Sequence, residues 1–141
     1  MTLSGKKALV TGAAGGIGQA IVRALTDAGA AIAATDIQLE GIPCDVAILG
    51  DLTDSAHCDA LPAKTREALG GLDIVINNAG IIRRGVITDS TDDDYVQSMA
   101  VNVEAPFRIC RAAIPILAAN GGGAIVNVSS CWGVRPGPNH P

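Results

Sequence analysis

Lys6-Lys7-Ala8-Leu9-Val10-Thr11-Gly12-Ala13-Ala14-Gly15-Gly16-Ile17-Gly18 is the stretch on which the fold of this chain turns. Its first half is short, mostly apolar and closed by glycine, as expected of a buried parallel strand. Beyond the glycines, Ile17, Ile21, Val22, Leu25 and Ala28 recur at helical spacing, and Gly29 supplies a stop. Ala31 to Thr35 is a second apolar run, closed by Asp36. Strand, glycine-rich turn, helix and strand in about 30 residues make a βαβ unit. At Gly12 the missing side chain lets the backbone turn sharply off the strand. Gly16 permits close approach of a pyrophosphate, and Gly18 lets the helix lie near the sheet. The N–H groups at the helix start, where Ile17 sits, then point at phosphates and favour their negative charge. A merely tight turn would look similar, but this one has a strand before it, a helix after it and an acid at a suitable distance.

That acid is Asp36, 24 residues beyond Gly12 and at the end of the second strand. A carboxylate there can accept both ribose hydroxyls and repels a 2′-phosphate. No Arg or Lys lies within the glycine turn or directly after Asp36. The expected cofactor is therefore NAD rather than NADP, with an exposed turn aspartate as the alternative.

Working outward, a third strand is expected over Val46 to Gly50 and a helix over Asp54 to Leu69, ended by Gly70-Gly71. Leu72 to Ile76 reads as a fourth strand. Thr91-Asp92-Asp93-Asp94 opens a long helical stretch to about Asn120, with acidic residues at its positive end and Pro106 and Pro115 expected to bend or interrupt it. Ala124 to Val128 is a fifth strand, and a Pro- and Gly-rich loop follows from Ser130. The interval from Asp36 to Asp51 is too short for a full helix plus a strand, so that helix is expected to shrink to a turn. Alternating strands and helices imply a doubly wound α/β fold, a parallel sheet covered on both faces.

Composition narrows the function classes. A net charge of −4 argues against a nucleic-acid partner, and no apolar run reaches the ~20 residues of a membrane helix. The opening Met1-Thr2-Leu3-Ser4-Gly5 lacks a secretory apolar region, so a cytoplasmic location is expected. Cys44, Cys58, Cys110 and Cys131 lie too far apart for a zinc pattern and read as ordinary thiols; no metal is expected.

Further motifs lie in order along the chain: Asp51-Leu52, Asn77-Asn78-Ala79-Gly80, Asn102 and Ser129-Ser130. With Thr11 to Gly18, they make the sequence resemble the short-chain dehydrogenase/reductase family over essentially its whole length. The resemblance implies a Rossmann sheet, of which these residues supply strands one to five of an expected seven, and one NAD-binding domain over 1–141, incomplete at its C-terminal side. Asp51 and the Leu52 N–H would meet the adenine edge, although a helix N-cap is an equally good local reading of Asp51. Asn78 and Gly80 would lie beside the cofactor, although Asn77 and Asn78 can also simply tie strand ends together. Asn102, unfavourable in mid-helix by propensity, matches the catalytic asparagine, whose helix bend exposes a carbonyl for a proton-relay water, with a solvent-facing asparagine as the alternative. Ser130 matches the catalytic serine that hydrogen-bonds the substrate carbonyl and the oxyanion developing on it; Ser129 is read as structural.

The resemblance also implies a Tyr-x-x-x-Lys proton donor, whose tyrosine would fall two positions beyond Pro141. Tyr95 is followed four residues on by Met99 and does not match. A 141-residue piece alone is accordingly expected to be inactive. The implied activity is hydride transfer between NAD(H) and a secondary alcohol or ketone, with a polyol, sugar or sugar acid as substrate. The alternative is a non-catalytic NAD-binding module or an inactive fragment of such an enzyme. Arg83-Arg84 can hold a substrate carboxylate or be solvated surface arginines. Trp132 is a candidate wall of the substrate pocket and His140 a candidate substrate contact, whereas His57 is expected to be exposed. The long helix carries apolar residues on more than one face (Met99, Val101, Val103, Phe107, Ile109, Ile114, Ile116 and Leu117); one face must cover the sheet, and the surplus suggests a homo-dimer or homo-tetramer.

Overall fold

The computed structural model describes residues 2–131, so the expectations for Trp132 and His140 lie outside the described residues. Its central strand, β1 (Lys7–Thr11), lies between β2 (Ala31–Asp36) and β4 (Ile74–Asn77). Outside these run β3 (Val46–Leu49), next to β2, and β5 (Ala124–Asn127), next to β4. All four pairings are parallel, giving the order β3-β2-β1-β4-β5. Successive strands are therefore added in opposite directions on the two sides of the β1/β4 boundary, and a doubly wound sheet opens its ligand crevice at the carboxyl ends beside such a switch.

Side-chain alternation divides the core into two layers. Ala8 and Val10 of β1 join Ile32, Ala34 and Ile76 on one face, covered by Val22 of α1 (Gly16–Asp27). Leu9, Ala33 and Val75 face the other way, against Cys58 and Leu61 of α2 (Ser55–Leu69) and Ile109, Ala113 and Leu117 of α4 (Ala105–Ala119). Parallel strands buried on both faces explain why these segments read as continuous apolar runs. Burial also pushes the Cys58 thiol up to about 11, opposed by the nearby Arg108 charge. Among the described residues β5 pairs only with β4, and its residues are largely exposed.

The segment between β2 and β3 contains turns and no helix, as its length requires. Over the long helical stretch the two prolines behave differently. The stretch is divided into α3 (Asp92–Met99), a π-helical turn (Ala100–Glu104) and α4. Pro106 sits in the first turn of α4, where a missing N–H costs least, and the widened turn lies just before it. Pro115, expected to bend or interrupt the helix, does not end it: α4 runs on to Ala119. Packing of Ile109, Ala113 and Leu117 on both sides of Pro115 holds the helix through the lost hydrogen bond. A short 3₁₀ turn, Ile87–Asp89, was not expected. No helix among the described residues is long and apolar enough to cross a membrane.

Candidate functional site

The turn from β1 into α1 is built by two glycines that admit no side chain. Gly12 has φ +63°, and a Cβ there would stand 2.7 Å from the Ala79 Cα. A Cβ on Gly18 would overlap the Gly12 carbonyl oxygen and lie 2.8 Å from the Ala13 Cα. Nothing lies within 4 Å of the Cβ position of Gly16, so that side of the turn is open. The N-cap of α1 is Gly15, and no side chain caps the helix. The first-turn N–H groups are thus left for an external acceptor, and the helix dipole makes an anion the favoured one.

This turn forms one wall of a cavity of about 500 Å³. Gly12, Gly16, Ile17, Gly18, Asp36, Asp51, Leu52, Asn78 and Gly80, the whole set read as cofactor-binding in the sequence, line it together. Ile37, Gly50 and Thr53 also line it and were not singled out in the sequence; their only signal is adjacency to Asp36 and Asp51. The Asp36 carboxylate accepts from the Ala14 N–H at 2.9 Å and from its neighbour Ile37 N–H at 2.7 Å, which holds it over the glycine turn. These residues fit a dinucleotide: an uncapped helix start for the pyrophosphate, an open glycine and a carboxylate held at the rim.

Two local readings are resolved by the geometry. Asp51 does not cap α2: the cap is Asp54, which accepts from the Ala56 N–H at 2.9 Å. Asp51 instead closes a turn by accepting from the Thr53 N–H at 2.8 Å, because it lies too far upstream of the first helical N–H groups. The side chains of Asn77 and Asn78 do tie strand ends. Asn77 donates to Asn127 Oδ1 at 2.8 Å, while Asn78 donates to the carbonyls of Thr11 and Gly12, each at 3.1 Å. Asn78 therefore both lines the cavity and braces the glycine turn.

A second cavity, of about 430 Å³, adjoins the first and shares Ile81 and Arg83 with it. Ser130 and Asn102 both line it, with Arg84 and Tyr95. Ser129 faces a different cavity, of about 360 Å³, which Asn102 also borders. Asn102 lies in the π-helical turn, and its side-chain amide bonds the Ile81 backbone twice, both at 2.9 Å. That contact was not foreseen. Arg83 and Arg84 part company: Arg83 bonds Gln97 and lies 3.6 Å from Asp94, whereas Arg84 has no ion pair among the described residues. Thr91 and Asp94 form a reciprocal capping box at the start of α3, whose bonds to Thr91 hold the Asp94 carboxyl below its usual range. His57, expected to be exposed, is half-buried, its ring against the backbone of Gly50. No cluster of three or more His, Cys, Asp or Glu suited to a metal occurs among the described residues, and all four cysteines are free thiols.

Comparison with known proteins agrees with this architecture. An uncharacterized oxidoreductase of Thermotoga maritima is 37% identical over 141 residues, covering 92% of this chain and 55% of its own. D-threitol dehydrogenase of Mycolicibacterium smegmatis is 37% identical over 139 residues, covering 91% and 54%. The solved structure of a short chain dehydrogenase from Burkholderia cenocepacia J2315, in complex with NADP, superposes with a TM-score of 0.90 at 36% identity, covering 99% of this chain and 61% of that one. The chain spans just over half the length of the curated relatives it matches. The sequence profile of the short chain dehydrogenases matches residues 6–141. On that match, the chain belongs to the short chain dehydrogenase family.

Proposed function

We propose that this chain carries the dinucleotide site and part of the catalytic site of an NAD-dependent oxidoreductase. The proposed reaction is hydride transfer between NAD(H) and a secondary alcohol or ketone. The observation that supports it is the meeting of two cavities: one lined by the glycine turn, Asp36 and Asp51, the other by Ser130 and Asn102, with Ile81 and Arg83 common to both. The first-turn N–H groups of α1 would hold the pyrophosphate, and Asp36 the ribose hydroxyls. Bound there, the nicotinamide would supply the hydride acceptor or donor. Ser130 would hydrogen-bond the substrate oxygen, and Asn102 would fix the loop that separates the two cavities. The carboxylate of Asp36 disfavours a 2′-phosphate, which is the ground for NAD in a family that includes an NADP complex.

The substrate class proposed is a polyol, sugar or sugar acid. A relative named D-threitol dehydrogenase favours the polyol, while the charge of Arg84 on the cavity of Ser130, without an ion pair among the described residues, favours an acid. The exposed apolar stripe along α4 is proposed as the face of a homo-dimer or homo-tetramer. The protein at its natural length, assayed for NAD reduction against polyols, aldoses and aldonic acids, should turn over at least one class, and a Ser130→Ala variant should lose it. NAD binding without turnover of any secondary alcohol or reduction of any ketone would favour a non-catalytic nucleotide-binding role instead.

A further inference from the structure

His57 is the third residue of α2 and does not line the dinucleotide cavity. Its ring nevertheless touches both segments that carry the cavity's carboxylates. On one side Nε2 stands 3.4 Å from the hydroxyl of Thr35, a fully buried residue that immediately precedes Asp36. On the other side the ring packs against Gly50, which immediately precedes Asp51. A Cβ built on Gly50 would overlap three atoms of the imidazole. The same two segments run on from the paired strands β2 and β3, in register up to Asp36 and Leu49, and the Gly50 N–H donates to the Asp36 carbonyl at 3.1 Å where the pairing ends.

The need for a buttress follows from the topology. β3 is the outer strand of the sheet, only four residues long, with no helix in the segment that leads to it. Its end, and with it Asp51, is supported from the α2 side. Gly50 is absent from the positive-φ glycines, so its lack of a side chain answers to space and not to backbone conformation. Burial, together with the Lys64 charge, lowers the His57 pKa against the opposing pull of Asp54 and Asp51. The ring is then neutral near pH 7 and fills the gap without placing a cation beside the carboxylates.

We infer that His57 is a positioning residue for the adenosine half of the dinucleotide, its ring wedged between Thr35 and Gly50 so as to fix the separation of Asp36 and Asp51. This rests on the nucleotide-binding reading above. A residue acting this way changes affinity without touching the ligand, and its effect depends on what occupies position 50.

The test is a calorimetric titration of ADP-ribose, the adenosine-containing part of NAD, into the protein at its natural length. His57→Ala, Gly50→Ala and the double variant are titrated beside the wild type, with thermal unfolding of each recorded. His57→Ala and Gly50→Ala should each weaken ADP-ribose binding on the order of tenfold, the scale expected for residues in contact. The double variant should bind more tightly than either single variant, because the new methyl group enters the space the ring has left. A change that merely loosened the fold would give losses that add. Unchanged affinity in His57→Ala, or additive losses in the double variant, would overturn the inference. Should His57→Ala fail to fold, Gly50→Ala decides: weakened binding supports the wedge, and wild-type binding refutes it. Absence of ADP-ribose and NADH binding by the wild type would instead remove the nucleotide-binding reading on which the wedge rests.

Discussion

The side-chain amide of Asn102 grips the backbone of Ile81 from both ends, accepting from its N–H and donating to its carbonyl, each at 2.9 Å. The grip joins the π-helical turn before α4 to the loop between the two cavities. Asn102→Ala removes both bonds and should cost about 1–2 kcal/mol in denaturant unfolding, at roughly 0.5–1.5 kcal/mol per hydrogen bond. Asn102→Asp loses only the donor and sets a carboxylate against the Ile81 carbonyl, so it should be no milder. Wild-type stability in both variants would show that the contact does not hold the loop.

Gly18→Ala tests the close approach of helix to turn. The added methyl group meets the Gly12 carbonyl oxygen and the Ala13 Cα, which are backbone and cannot swing aside. A loss of about 1–3 kcal/mol is expected from overpacking, together with loss of dinucleotide binding. Gly16→Ala, with open space at the same atom, should leave unfolding nearly unchanged while weakening binding. Equal unfolding effects at the two positions would contradict this division.

Acid sensitivity should be traceable to Asp73. Burial pushes its pKa upward, but the hydrogen bond from the Lys7 N–H at 2.9 Å and the Lys6 ammonium at 3.2 Å hold it below the usual value. A carboxyl with a lowered folded pKa contributes stability that is fully present above its unfolded pKa, about 3.9. That contribution is lost as pH falls through the folded value. Asp73→Asn should therefore be less stable than wild type near neutral pH, with the difference closing below about pH 4. Unfolding curves at a series of pH values check this; a gap that widens on acidification would have the wrong sign.

Val103, Phe107 and Ile114 are exposed at helical intervals along one side of the π turn and α4, and Phe107 is 61% exposed. Phe107→Glu should convert an oligomer to a smaller species in light scattering at micromolar concentration. A wild-type protein of natural length that is strictly monomeric would remove the proposed interface.

How much was legible in the sequence follows from how local each cause is. The glycine turn, Asp36 and the shortened β2–β3 connection could be read because spacing alone constrains them. The lining of one cavity by Gly12, Asp36, Asp51 and Gly80 follows from the sheet order, since all stand at the carboxyl ends of parallel strands. Contacts across the chain were not readable. The Asn102–Ile81 grip spans 21 residues and His57–Thr35 spans 22, and neither has a periodic signal. Pro115 does not end α4, because packing on both sides of it, which no local signal reports, offsets the proline's local cost.

The cavity beside the glycine turn should bind NAD, and Asp36 should exclude the 2′-phosphate of NADP. The measurement is titration of NADH and of NADPH into the wild-type protein of natural length and its Asp36→Ala variant. Wild type should bind NADH more tightly than NADPH, by roughly tenfold or more for a charge opposed at close range. Asp36→Ala should bind NADH more weakly and bring the two affinities together. Tighter binding of NADPH by the wild type, or discrimination unchanged in Asp36→Ala, would overturn the assignment of NAD to this cavity and of selectivity to Asp36.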